Sequence, residues 1–249
     1  MLLEYVPLLQ LQRDLYTIPR GGTRFRAYLR TMIDPHTRDL RLPLVNMNPM
    51  GKDHVPRLID ELLSLDADAV ARNAVERAAT EHRTVAGSFR VALVAVDDSG
   101  GGWTNRYTND YTNRFGTWPL LSRGWLTATA WTADPPSRAR VREEAATVVH
   151  RAAYLLAHGE ALSLGEMLAQ EGYAMARAGC RQPALEADEM AYTRESLQPL
   201  LLRRDRPTVM ACLYGDGAAQ SLGYPPQGLG DYAGLALALH QARAEAPAT

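Results

Sequence analysis

The chain has 249 residues, a formal net charge of -1, 46% hydrophobic and 22% charged residues. Those proportions belong to a folded chain rather than a disordered one, and the near-zero charge excludes a broad positive field able to hold nucleic acid or an anionic membrane surface. No apolar run reaches the roughly 18 residues that a membrane-spanning helix needs. Glu4 stands where a secretory signal needs basic residues, and Gln10, Gln12 and Arg13 interrupt the apolar stretch that follows, so a cytoplasmic protein is expected. Cys180 and Cys212 are too few for a disulfide framework and lack a metal or redox spacing; both are read as reduced and buried.

Apolar residues recur at helical spacing from Leu2 to Leu15, and Pro19-Arg20-Gly21-Gly22 separates that predicted helix from a second over Thr23–Met32. Arg20, Arg24, Arg26 and Arg30, interleaved with Phe25 and Tyr28, read as a solvated face or a weak phosphate grip. Leu42–Asn46 reads as a short edge strand. After the loop Asn48–Lys52, Asp53 is a suitable N-cap for a helix with Val55, Leu58, Ile59, Leu62 and Leu63 on one face. An alanine-rich helix follows from about Ala67 to His82.

Phe89–Val96 is a continuous apolar run ending in Asp97-Asp98-Ser99-Gly100-Gly101-Gly102, the pattern of a strand buried on both faces that breaks into a loop. Trp125–Thr132 and Thr208–Tyr214 read as two further strands. Between them, one helix starts after Asp134-Pro135-Pro136-Ser137, and another opens on the capping box Ser163–Glu166 and stops at Gly179. A last helix covers Tyr232–Ala244. The expected fold is a mixed α+β one: a helix-rich single domain over residues 1–244, around a small mixed sheet of about four strands, with a frayed tail at 245–249.

Two skews in residue usage mark where chemistry would sit. Lys52 is the only lysine among 27 basic residues, so it marks a place where a compact ammonium matters. Five of the six asparagines fall in two clusters: Asn46 and Asn48 beside Lys52, and Asn105, Asn109 and Asn113 within Trp103–Phe115. In that second segment, threonine, asparagine, a charged residue and an aromatic repeat with a period of four. An extended path would put Trp103, Tyr107, Tyr111 and Phe115 on one face with the asparagines, a mixture of rings and amides suited to a sugar or a nucleobase. A helix would instead align Arg106, Asp110 and Arg114 at i, i+4 spacing and gather the rings into a stripe. Thr, Asn and Tyr are mediocre helix formers, so the extended or irregular path is preferred.

Asp97 and Asp98 stand where a central strand ends, the position at which open sheets place ligands; a divalent metal there is an alternative to a general base. Lys52 lies at a helix N-terminus that favours anions. His54 is the one histidine beside the other candidates, and a metal held by it with an aspartate is a weaker reading. Signatures for zinc proteases, serine hydrolases, nicotinamide and flavin dinucleotides are absent, so the cofactor is unknown. The leading expectation is an enzyme for a small polar or anionic substrate. Lys52, Asp97, Asp98 and Arg106 would be its catalytic groups; Asn46, Asn48, Trp103, Asn105, Tyr107, Asn109, Asn113 and Arg114 would bind the ligand. The alternatives are a noncatalytic sugar- or nucleotide-binding module and a protein-interaction surface, with self-association into a homo-oligomer compatible with either.

Overall fold

The computed structural model of the protein describes residues 1–99 and 105–245, which fall into two compact units, Met1–Val149 and His150–Thr249. The fold is helix-rich and mixed, as expected, and the sheet is smaller: three parallel strands among the described residues.

The first unit runs β1 (Leu2–Tyr5), α1 (Leu9–Thr17), α2 (Gly22–Met32), α3 (His54–Ser64), α4 (Ala67–Glu81), β2 (Ser88–Val96), α5 (Arg106–Phe115), α6 (Trp118–Leu121) and β3 (Trp125–Trp131), followed by α7 (Arg138–His158), inside which the division falls. The strand order is β1-β2-β3, with Leu2 opposite Ser88 and Arg90 opposite Trp125. Val91 to Val96 are all buried, because helices cover a parallel sheet on its faces, and that burial explains the unbroken apolar run.

Two expected elements ahead of β2 are not found. The helix expected from Leu2 begins only at Leu9, since Pro7 breaks the segment and Leu2–Tyr5 pairs with β2. Leu42–Asn46 is not a strand; it is irregular, and the nearby ladder contact is a single antiparallel bridge, Ile33 to Leu40.

β1 is so short that its pairing with β2 ends at Tyr5 opposite Val91, with Val6 N–H donating to the Val91 carbonyl. Farther along β2, Gln12 takes the place of the missing strand. It is fully buried, its Nε2 donates to the Ala95 carbonyl at 3.1 Å, and its Oε1 accepts from Ala95 N–H at 2.9 Å. One amide side chain thus satisfies a backbone donor and acceptor that burial would otherwise penalise.

The second unit holds α8 (Leu164–Arg177), α9 (Ala187–Leu197), a 3-10 turn (Gln198–Leu200), α10 (Arg206–Tyr214), α11 (Asp216–Ser221) and α12 (Ala233–Glu245). The capping box expected at Ser163 is formed, Ser163 and Glu166 each bonding the other's backbone N–H. Thr208–Tyr214, expected as a strand, lies in the helix α10. Asp205 caps it by accepting from Thr208 N–H, and Pro207 occupies its first turn. Val209 to Tyr214 are buried all round, and a helix with no polar face gives the same unbroken apolar run as a buried strand. Close approach also shapes this unit: a Cβ on Gly234 would lie 2.3 Å from the Cys212 carbonyl oxygen, so glycine lets α12 pass against α10.

Candidate functional site

The ends of β2 and β3, the start of α5 and the loop leading into α3 bring polar side chains together. Asp97, the first residue past β2, is 2% exposed. Its Oδ2 accepts from Asn48 Nδ2 at 2.7 Å; its Oδ1 lies 2.8 Å from His54 Nε2 and accepts from Ser99 N–H at 3.2 Å. Burial alone would raise the Asp97 carboxyl. The hydrogen bonds from His54, Asn48 and Ser99 outweigh it and hold the group below its ordinary 3.8, so Asp97 is a carboxylate near neutrality.

An ionised carboxylate only accepts hydrogen bonds, so the Nε2 of His54 carries a proton and donates it to Asp97. The other ring nitrogen, Nδ1, has no hydrogen-bond partner among the described residues, and about a third of the side chain (34%) is exposed. His54 is the first residue of α3. The expected capping bond from Asp53 is not formed, although Asp53 occupies the N-cap position.

The loop that carries Asn48 is held from beneath. Tyr16 donates its hydroxyl to the Asn48 carbonyl, and Asn48 Oδ1 accepts from Met50 N–H at 2.9 Å. Burial, and then the negative charge of Asp97, push the Tyr16 phenol up, so it stays a donor. Arg24, read from sequence as one of an arginine face, is instead buried at 7% exposure. It donates to the carbonyls of Ile18 at 2.6 Å, Gly51 and Tyr16 at 3.4 Å and Pro49 at 3.5 Å. Four carbonyls around one planar fork fix the turn that delivers Asn48 and His54.

Asp98 builds the neighbouring wall. Its Oδ1 accepts from Thr132 Oγ1 and Ala133 N–H, both at 2.9 Å, and its Oδ2 pairs with Arg106 at 3.0 Å. Arg106 also makes two bonds of 2.9 Å to Asp134 and lies 5.3 Å from the Trp131 ring centroid. Its charge is therefore compensated by two aspartates, and its role in this geometry is to tie α5 to the ends of β2 and β3. All four oxygens of Asp97 and Asp98 accept hydrogen bonds from within the protein.

Residues 106–115, expected to be extended, form the helix α5. Asn105 provides the reason: its side chain accepts from Thr108 N–H at 3.1 Å, an N-cap strong enough to start a helix in a sequence of modest propensity. Arg114 pairs with Asp110 at 2.8 Å, and the Tyr111 and Phe115 rings lie 5.2 Å apart, as the helical alternative requires. Asn113 joins the two asparagine clusters: Asn46 Nδ2 donates to its Oδ1 at 3.0 Å, and its own Nδ2 donates to Thr129 on β3 at 3.2 Å. One turn earlier, the buried Nδ2 of Asn109 has no hydrogen-bond partner among the described residues. Tyr107 is half-buried on the same helix. Trp103 lies outside the described residues.

Lys52 is exposed, and no hydrogen bond or ion pair among the described residues links it to Asp97, Asp98 or Arg106. The groups that sequence reasoning missed are Gln12, Tyr16, Thr132 and the carboxylate–imidazole pairing of Asp97 with His54. Asp97 and His54 were each noticed, yet a separation of 43 residues hides the contact.

Compared with known proteins, the chain matches no family model, no curated protein and no solved structure.

One outcome follows from the Asp97 bonds. A group whose folded value is depressed contributes stability that is complete above its unfolded value and is lost as pH falls through the folded one. The thermal midpoints of the parent and Asp97→Asn should therefore differ most above about pH 4 and converge below it. A gap that stays constant down to about pH 3 would show that the Asp97 charge adds nothing to stability.

Proposed function

We propose that this protein is an enzyme in which His54, oriented by Asp97, acts as general base on a small polar substrate. The observation that carries this reading is the buried, ionised Asp97 at the end of the central parallel strand, bonded to a histidine whose second nitrogen is unengaged. In open parallel sheets the crevice beyond the carboxyl ends of the strands is where ligands bind. A carboxylate that accepts from one imidazole nitrogen fixes the tautomer and makes the other nitrogen a better proton acceptor. His54 Nδ1 would take a proton from water or from a substrate hydroxyl, and Asp97 would stabilise the imidazolium that forms.

Substrate contacts come from the same elements. Exposed Lys52, two residues before His54, supports recognition of a negative group. Arg106 is left as a tie between elements. A panel of carboxylic esters, thioesters, phosphoesters, amides and glycosides tests the reading, run on the parent, His54→Gln and Lys52→Ala. The expected result is turnover of one class by the parent, lost in His54→Gln. Absence of turnover across the panel, or turnover that survives in His54→Gln, would sink it.

A further inference from the structure

The second unit contains a groove of about 980 Å³ that the proposed chemistry does not use. That volume lies near the upper end of small-molecule sites, about 300–1,000 Å³. Its floor is apolar, formed by Leu168, Leu197, Leu201 and Leu237; Gly165 and Gly172 on α8 let neighbouring backbone pack close, since a Cβ on them would lie 3.3 Å from the Leu201 and 2.6 Å from the Ala238 carbonyl oxygen. The charged residues of the lining are Arg177, Arg194, Arg243 and a single acid, Glu245.

The two kinds of residue separate along α8. Gly165 and Leu201 meet at its start, where Gly165 N–H donates to the Leu201 carbonyl at 2.8 Å. Arg177 stands in its last turn, and Arg243 donates to the carbonyl of Cys180 just beyond it. At 1.5 Å per residue, the stretch from Gly165 to Arg177 covers about 18 Å. Apolar surface continues outward from the leucine end: Leu202 is 89% and Leu162 53% exposed, on segments joined by the Leu164 N–H to Arg203 carbonyl bond. Exposed leucines beside an apolar groove mark a binding mouth more often than a plain surface.

We infer that this groove binds an amphipathic anion: one apolar chain lying over the leucines, with a carboxylate or similar small anionic head at Arg177 and Arg243. Burial of the chain supplies the affinity, and the guanidinium groups choose the head and its direction. Compact uncharged ligands fit worse, since they carry no anionic head for Arg177 and Arg243 to bind.

The test is displacement of a fluorescent anilinonaphthalene sulfonate from the full chain by dodecanoate, with dodecanol and acetate beside it. Dodecanoate should displace the dye, dodecanol about tenfold more weakly, and acetate not at all. Arg177→Gln and Arg243→Gln should each weaken dodecanoate by about tenfold. Ala169→Trp, which fills the groove from an exposed position of α8, should abolish binding while the melting curve stays near that of the parent. The inference is overturned if dodecanoate fails to displace the dye. It is equally overturned if dodecanol matches dodecanoate, or if Ala169→Trp folds and still binds.

Discussion

Replacing His54 with glutamine is expected to lower turnover by about a hundredfold to ten-thousandfold, the usual contribution of a positioned general base. The side chain is about a third exposed (34%), so the thermal midpoint should stay close to that of the parent. Asp97→Asn should also lose activity, by a different route. An amide that turns its NH2 toward Nε2 makes that nitrogen the acceptor and moves the ring proton to Nδ1, where it blocks proton removal from substrate. Single-turnover rates separate the two variants from binding defects. Equal rates in the parent and His54→Gln would remove His54 from the chemistry.

Arg151→Ala is expected to destabilise the protein by about 3–5 kcal/mol, the largest effect on stability proposed for any single side chain in this structure. Arg151 and Glu171 form a two-pronged pair of 2.6 and 2.9 Å, with side chains 6% and 0% exposed. Gln170 Nε2 also donates to the same carboxylate at 3.2 Å. Removing the guanidinium leaves Glu171 charged in a place water does not reach. The double variant Arg151→Met with Glu171→Leu should recover much of the loss, because it removes the desolvated charge together with its partner. Urea unfolding of the three variants measures the coupling. If Arg151→Ala is no less stable than the double variant, the pair is not held in a dry interior.

How much of this was legible in the sequence depends on the range over which each signal acts. Local signals succeeded: the capping box at Ser163, the doubly buried strand ending at Asp97 and the helix after Asp53 each depend on neighbours a few residues apart. Short apolar runs failed where burial erased periodicity, as in Val209–Tyr214, whose all-round packing in α10 leaves no polar face to count. Propensity failed for Arg106–Phe115 because one cap, Asn105, decided the outcome. The clustering of asparagines pointed to a real juxtaposition, Asn46 with Asn113, but gave no hint that Asn48, in the loop, and His54, at the start of α3, would close on Asp97. Contacts between distant segments leave no periodic trace in a single chain.

Gln12 has a consequence for the behaviour of the chain in a crowded solution. The Val91–Val96 run is aliphatic, uncharged and strand-forming, the composition that promotes growth of stacked β-structure when its edge is open. A strand added by another chain would have to bond Ala95 through the N–H and carbonyl that Gln12 already occupies. The glutamine therefore serves as a stopper against intermolecular pairing, placed by a helix at the point where the protein's own first strand runs out.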